Sequence, residues 1–218
     1  MPETKASYPL EAPGLWVERI GQTRFAAGRP AVFLDRDGTI NVDIGYPSEP
    51  RQIVLRNQIV PVIQAANQAG LPAIIVTNQS GIARGYFGWD VFAGVNNRVL
   101  DLLAERNCFI DMVLACAYHE AGEGVLAAND HPMRKPNPGM LLTAAARLDL
   151  DLVGSIILGD KEADIEAGRR AGLSRLFHVK DGADAEQAAM REIQAIGLPR
   201  GCSFQRGVRR VPRRASLR

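Results

Sequence analysis

The sequence predicts an α/β protein, a three-layer Rossmann-like sandwich whose mostly parallel central sheet is covered by helices on both faces. Three observations carry that reading. Short apolar runs alternate along the chain with longer segments of helical spacing. The apolar runs are nearly continuous, as strands covered on both faces require. Several of them end in polar side chains, as in an open α/β sheet that binds its ligand beyond the carboxyl ends of the strands. A chain of 218 residues with 46% hydrophobic content fits one such domain with some decoration.

Residues 1–30 are rich in proline and glycine around one apolar patch, Leu15 to Ile20, and read as an extension lying against the domain. The first strand is "AVFLD", Ala31 to Asp35, followed by a helix over Ile59 to Ala69 and the strand "PAIIVTN", Pro72 to Asn78. A helix over Trp89 to Arg106 leads to "DMVLACAY", Asp111 to Tyr118; a helix over Gly139 to Leu148 leads to "SIILGD", Ser155 to Asp160. A helix over Glu162 to Ala171, the strand "RLFHV" from Arg175 to Val179, and a helix over Ala185 to Ile196 complete a domain spanning 31–200. Residues 201–218 form a basic tail in which Arg206, Arg209, Arg210, Arg213, Arg214 and Arg218 meet no acid. Such a tail suits nucleic acid, anionic lipid or an acidic partner, and equally a solvated terminus.

No run of about 18 apolar residues occurs, and the N-terminus carries acids and prolines where a signal peptide needs a continuous apolar stretch, so a cytoplasmic, unexported, monomeric protein is expected. Three cysteines, Cys108, Cys116 and Cys202, cannot all pair and suit a reducing compartment. The net charge of +2 resides in the tail, which leaves the body without a bias toward polyanions.

"AVFLDRDGTIN" runs a buried strand into two aspartates, Asp35 and Asp37, that strand alternation points the same way while Arg36 points oppositely. Two such carboxylates repel unless a cation or a shared proton lies between them, although a solvated turn could also carry them. Gly38 permits a tight turn, and Thr39 and Asn41 add hydrogen-bonding groups at the same rim. Together with Thr77 and Asn78, Lys135 and Asp160 at other strand ends and loops, these residues suit phosphate-ester hydrolysis. Asp35 would attack, Asp37 would act as general acid and then general base, and Thr77 and Lys135 would hold the phosphoryl oxygens. A divalent cation on Asp35, Asp160 and a backbone carbonyl would cancel the repulsion, and magnesium suits such an all-oxygen site.

"DRDGTIN", "TNQSGIARGYF", "RKPNPGM" and "GDKEADIEAG" resemble the four ordered motifs of the haloacid dehalogenase (HAD) superfamily, over roughly Ala31 to Val179. The resemblance is closest to the phosphatases acting on D-glycero-D-manno-heptose 1,7-bisphosphate, and next to the histidinol-phosphatases. It implies Asp35 as nucleophile, Asp37 as acid/base, and magnesium on Asp35, the Asp37 backbone carbonyl and Asp160. Thr77 and Lys135 would bind phosphate. A minimal cap is expected, because no long insertion interrupts the domain and "VDIGYP", Val42 to Pro47, resembles the loop after the nucleophile in the heptose enzymes. Asn78, Gln79 and Ser80 match the loop bordering the sugar, and Arg134 and Lys161 match positive residues near the phosphates. Turn capping accounts for Gln79 and Ser80 as readily, and simple exposure for Arg134. The expected activity is that of a sugar-phosphate phosphatase. A histidinol-phosphate or broad sugar phosphatase is the alternative within the enzymes, and a non-catalytic nucleic-acid-docking module is the alternative outside them.

The pattern departs from the family where many relatives carry a structural zinc loop. The corresponding positions here read Cys116, Tyr118, His131 and Met133, a poor ligand set, so zinc is not expected. His119, His131 and Cys116 would supply only three ligands. The loop from His119 to Met133 must then be ordered by apolar contacts at Val125 and Leu126, or be mobile. Asp164, one helical turn after Asp160, is expected to meet a water or the lysine, or to cap its helix. His178 reads as a core histidine, and Trp16 and Trp89 as packing residues.

Overall fold

A computed structural model describes residues 8–179 and 183–197 of the chain, so the basic tail and Cys202 lie outside the described residues. The strands are β1 (Leu10–Ala12), β2 (Leu15–Arg19), β3 (Val32–Leu34), β4 (Ala73–Asn78), β5 (Met112–Cys116), β6 (Ile156–Gly159) and β7 (Arg175–His178). The helices are α1 (Ile59–Gln68), α2 (Ser80–Ala83), α3 (Trp89–Ala104), α4 (Gly139–Leu148), α5 (Glu162–Arg170) and α6 (Asp184–Ile196). They build one seven-stranded sheet in the order β1-β2-β5-β4-β3-β6-β7. The strands from β3 onward are parallel, and β1 and β2 run antiparallel at one edge.

Alternation along each strand divides the core into two layers. Val32 and Leu34 of β3 face one cluster, with Ile59 and Ile63 of α1, Phe92 and Val95 of α3 and Ile193 of α6. Phe33 faces the other, with Met140 and Ala144 of α4 and Ala167 of α5. Ile74 and Ile75 of β4 divide in the same way, as do Ile156 and Ile157 of β6. This is the three-layer sandwich the sequence predicts, and the runs are continuous because both faces are covered.

Residues 8–30 hold what the sequence reading left without regular structure. Leu15–Arg19 pairs with β5 from Leu15↔Cys116 to Arg19↔Met112. Trp16 anchors the strand in an aromatic cluster, with ring centroids 5.7 Å from Trp89 and 5.1 Å from Phe92. Five residues with one polar end are too short a pattern to separate an edge strand from an apolar patch, and the pairing partner lies about a hundred residues away.

The parallel strand order places β3 at the centre, with β4 on one side and β6 on the other. The chain passes from β3 to β4 on one side, then from β5 crosses over to β6 on the other, so the strand order reverses at β3 and a crevice opens above its carboxyl end. Among the described residues, no helix is long and apolar enough to cross a membrane.

Candidate active site

The chain leaves the sheet after Leu34 and closes a tight turn. Asp35 N–H still donates to the Leu158 carbonyl of β6 (3.0 Å), Ile40 N–H donates back to the Arg36 carbonyl (2.9 Å), and Gly38 N–H donates to the Asn41 carbonyl (2.8 Å). Gly38 has a φ of 92°, and a Cβ there would collide with the Asp160 carboxylate. Glycine is therefore required both by backbone conformation and by the close approach of β6.

The turn delivers Asp35 and Asp37 into one cavity of about 270 Å³, also lined by Asp43, Tyr46, Thr77, Asn78, Gln79, Ser80, Lys135, Lys161 and Asp164. A wider hollow of about 440 Å³ is lined by Arg19, Ile20, Gly21, Gln22 and Arg24 and by none of the carboxylates singled out above. As strand alternation leads one to expect, Asp35 and Asp37 share the cavity while Arg36 does not line it and packs toward Phe92; only its contact with Asp37 was not foreseen. Its guanidinium meets Asp37, with Nη2 donating to Oδ2 (2.8 Å) and Nε to Oδ1 (3.2 Å), because the backbone has already left extended geometry.

Lys135 is the electrostatic centre. Its Nζ, 3% exposed as a residue, lies 2.5 Å from Asp35 Oδ1 and 2.5 Å from Asp164 Oδ1, and donates to the Val76 carbonyl at 2.7 Å. Asn78 clamps the lysine's main chain: its Oδ1 accepts Lys135 N–H (3.1 Å) and its Nδ2 donates to the Lys135 carbonyl (2.9 Å). Gln79 ties two other site residues together, donating from Nε2 to Asp37 Oδ2 (2.9 Å) and to Thr77 Oγ1 (3.0 Å). Since Thr77 accepts that bond, its own hydroxyl hydrogen remains available to a ligand.

Burial pushes the Asp35 carboxyl up to about 7, with Lys135 opposing and the Asp164 and Asp37 charges adding to the rise. For Asp37 burial also raises, but the Arg36 charge and hydrogen bonds from Arg36, Asn41 and Gln79 outweigh it and hold the carboxyl below its usual range. Burial would lower Lys135, yet the carboxylates of Asp35 and Asp164 keep its ammonium charged well above the ordinary lysine range. Asp160 is raised, chiefly by burial.

These acids fit a divalent cation. Ligand oxygens of Asp35, Asp160 and Asp164 lie within 4.8 Å of one another. Asp160 Oδ1 is buried without a hydrogen-bond partner among the described residues, and hard cations take such oxygens. Asp164 is otherwise engaged: Oδ1 meets Lys135, and Oδ2 accepts Lys161 N–H at 3.0 Å at the start of α5. Of the roles expected for Asp164, the lysine contact and the helix cap are both present. His178 is half-buried on β7, with Nε2 2.7 Å from the Asp160 carbonyl. It is thus a satisfied histidine, as expected, though half-buried, and its partner is the Asp160 backbone.

The remaining expected residues sit further out. Lys161 Nζ meets Asp43 Oδ2 at 3.2 Å across the cavity mouth. Arg134 does not line the cavity; its Nη1 donates to the Tyr118 carbonyl at 3.2 Å. Asp43 and Tyr46 line the cavity although sequence reasoning gave them no role, and their place in "VDIGYP" was the available signal.

At the four zinc-loop positions, Cys116 is buried in β5 with its thiol pushed up by burial to about 11. The Tyr118 ring stacks on His131, with centroids 3.8 Å apart and planes 13° from parallel. Met133 Sδ accepts from Thr143 Oγ1 at 3.8 Å. Of the two apolar residues expected to order this loop, Leu126 packs against both core clusters, but Val125 is 76% exposed and contributes nothing. Main-chain bonds do the rest, with His119 N–H donating to the Leu126 carbonyl (3.2 Å) and Ala128 N–H to the His119 carbonyl (3.1 Å).

Residues 132–196 match a family model described as HAD-hydrolase-like. A protein of Mesorhizobium japonicum named D-glycero-beta-D-manno-heptose-1,7-bisphosphate 7-phosphatase is 63% identical over 185 residues, covering 85% of each chain. A Burkholderia mallei protein named for the alpha-anomer activity is 40% identical over 171 residues, covering 78% of this chain and 89% of its own. Among solved structures, a HAD-like phosphatase candidate from Mesorhizobium loti superposes with a TM-score of 0.86 at 54% identity, covering 89% of this chain and 100% of its own. The D,D-heptose 1,7-bisphosphate phosphatase of B. bronchiseptica, solved with magnesium and phosphate, gives 0.60 at 29% identity, covering 79% and 89%.

Proposed function

The chain belongs to the HAD-like hydrolases and is a phosphatase, and we propose that it removes the 7-phosphate of D-glycero-D-manno-heptose 1,7-bisphosphate through an aspartyl-phosphate intermediate. The observation that carries the chemistry is the convergence of Asp35, Asp37, Thr77 and Lys135 on one cavity above the central strand. The substrate rests on the names of the relatives, and the 63% identical one specifies the β anomer.

Asp35 is the nucleophile, held through Oδ1 by Lys135. Its bond to phosphorus forms as the bond from phosphorus to the sugar oxygen breaks, and Asp37 gives that oxygen a proton. Water then yields a proton to Asp37 and attacks phosphorus, freeing Asp35 and inorganic phosphate. The depressed Asp37 carboxyl suits the second step; the arriving phosphate dianion opposes the pull of Arg36 and favours the protonated form needed in the first. Lys135 and the Thr77 hydroxyl hold the phosphoryl oxygens, while Gln79, Ser80 and Lys161 border the sugar end. Asn78 acts through Lys135, whose backbone it clamps.

Asp35, Asp160 and the Asp37 main-chain carbonyl are the residues that would hold Mg²⁺, which supplies charge neutralisation for the phosphoryl group when bound. The B. bronchiseptica relative, solved with magnesium and phosphate, supports that choice of metal.

The test is turnover of both heptose bisphosphate anomers and of histidinol phosphate, each with Mg²⁺ and with EDTA. Faster Mg²⁺-dependent hydrolysis of the heptose bisphosphate is expected. Equal slow turnover of all three, or full activity in EDTA, would reject the assignment.

A further inference from the structure

Four donors hold the Asp37 carboxylate. Arg36 Nε (3.2 Å) and Asn41 Nδ2 (3.1 Å) donate to Oδ1, while Arg36 Nη2 (2.8 Å) and Gln79 Nε2 (2.9 Å) donate to Oδ2. The two amides give one bond each to Asp37. Arg36 gives two from a rigid planar fork, which fixes the carboxylate plane as well as its distance. We propose that Arg36 is the positioning residue for Asp37 as proton donor, an inference that rests on the acid/base reading of Asp37.

What holds Arg36 itself makes this more than a local ion pair. The residue is 1% exposed, and its guanidinium lies 5.3 Å from the ring centroid of Phe92 on α3, a buried core side chain. Its Nη1 is buried without a hydrogen-bond partner among the described residues, so none of them competes for the fork. Asp37 is its salt-bridge partner, and the side chain has nowhere to swing to water. The helix α3 therefore sets the guanidinium, the guanidinium sets the carboxylate, and Gln79 ties that carboxylate to Thr77 in the phosphate pocket. The proton-carrying oxygen keeps a constant position relative to the phosphate. Arg36 does not line the cavity.

A proton donor matters in proportion to how poor the leaving group is, and kcat/KM reports steps up to leaving-group departure. The experiment compares kcat/KM for heptose 1,7-bisphosphate with that for p-nitrophenyl phosphate, in wild type, Arg36→Lys, Arg36→Met and Asp37→Asn. Glycerol 3-phosphate serves as a second alkyl ester, so the comparison survives if the heptose is not the substrate. Since general acid catalysis contributes about 10²- to 10⁴-fold, Arg36→Met should lose about 100-fold on the alkyl ester and under about 10-fold on the aryl ester. Arg36→Lys keeps the charge but not the fork, and should lose about 10-fold on the alkyl ester alone; it carries the test if Arg36→Met does not fold. An unchanged alkyl-to-aryl ratio in the Arg36 variants, while Asp37→Asn shifts it, overturns the role of Arg36 alone. An unchanged ratio in Asp37→Asn overturns the acid/base reading and the proposal with it.

Discussion

Replacing Lys135 by methionine removes one charge from between two buried carboxylates. Nζ lies 2.5 Å from an oxygen of Asp35 and 2.5 Å from one of Asp164, and the side chains are between 2% and 8% exposed. Removing one partner of a buried pair costs about 3–5 kcal/mol, because the other charge stays buried without compensation. Here two carboxylates are stranded, so at a pH high enough to keep both ionised the upper end of that range applies. For a domain of this size about 1 kcal/mol shifts Tm by about 2–4 °C, so Lys135→Met should melt about 10–20 °C below wild type in EDTA. A divalent cation held by the same acids replaces part of the missing charge, so Mg²⁺ should raise the Tm of the variant more than that of wild type. Thermal unfolding by circular dichroism, with EDTA and with Mg²⁺, reads both effects, and phosphatase activity should be lost throughout. A variant melting within about 2 °C of wild type would show that Lys135 does not carry the electrostatics of this site.

Gly38→Ala introduces a Cβ at a φ of 92° into the Asp160 carboxylate, so Mg²⁺ affinity by calorimetry should fall at least about tenfold; unchanged affinity would remove Asp160 from the metal set. Burial raises the folded-state carboxyls of Asp35, to about 7, and of Asp160, so in the metal-free protein these groups oppose folding increasingly as pH rises above the ordinary value of 3.8. Mg²⁺ must displace their protons, so its stabilising increment in Tm should be larger at pH 8 than at pH 5.5, and an equal increment would contradict the assignment. Trp16→Ala empties a buried aromatic site between β2 and α3 and should cost about 3–5 kcal/mol in denaturant unfolding; a loss under about 1 kcal/mol would show that β2 is not anchored there.

Four of the five parallel strands, β3 to β6, were legible because burial on both faces leaves a continuous apolar signature; β7, at the edge, is only partly buried and is legible from its Leu-Phe pair. "SIILGD" needs no partner to be read. β2 was not legible, because its strand character comes from pairing with β5, a relation that local periodicity does not encode. That Asp35, Asp37, Thr77, Lys135 and Asp160 would come together was readable from motif order, with the aspartates and the threonine at or just beyond strand ends and the lysine on a connecting loop. The contacts that orient them were not. Asn78 grips Lys135 across 57 residues, His178 reaches the Asp160 carbonyl across 18, and Arg36 reaches back to its own neighbour only because the chain has turned. Each depends on the path of the backbone outside regular structure, where the period-2 rule no longer holds.

The charge balance explains why the strand ends in acids. Asp35, Asp37, Asp160 and Asp164 crowd one end of the sheet, against two fully buried cations, Arg36 and Lys135. Arg36 is committed to Asp37, and Lys135 can neutralise only one of the two carboxylates it bridges. Lys161 is half exposed and divides itself between Asp160 and Asp43. Close to two negative charges therefore remain on Asp35, Asp160 and Asp164, a deficit that one divalent cation matches. Burial makes that deficit expensive, which is what lifts Asp35 and Asp160 in its absence. A phosphate dianion adds two further charges and cannot enter until the deficit is met, so metal binding should precede productive substrate binding. Substrate protection of the protein against thermal unfolding should accordingly vanish in EDTA, and protection that persisted there would break this order.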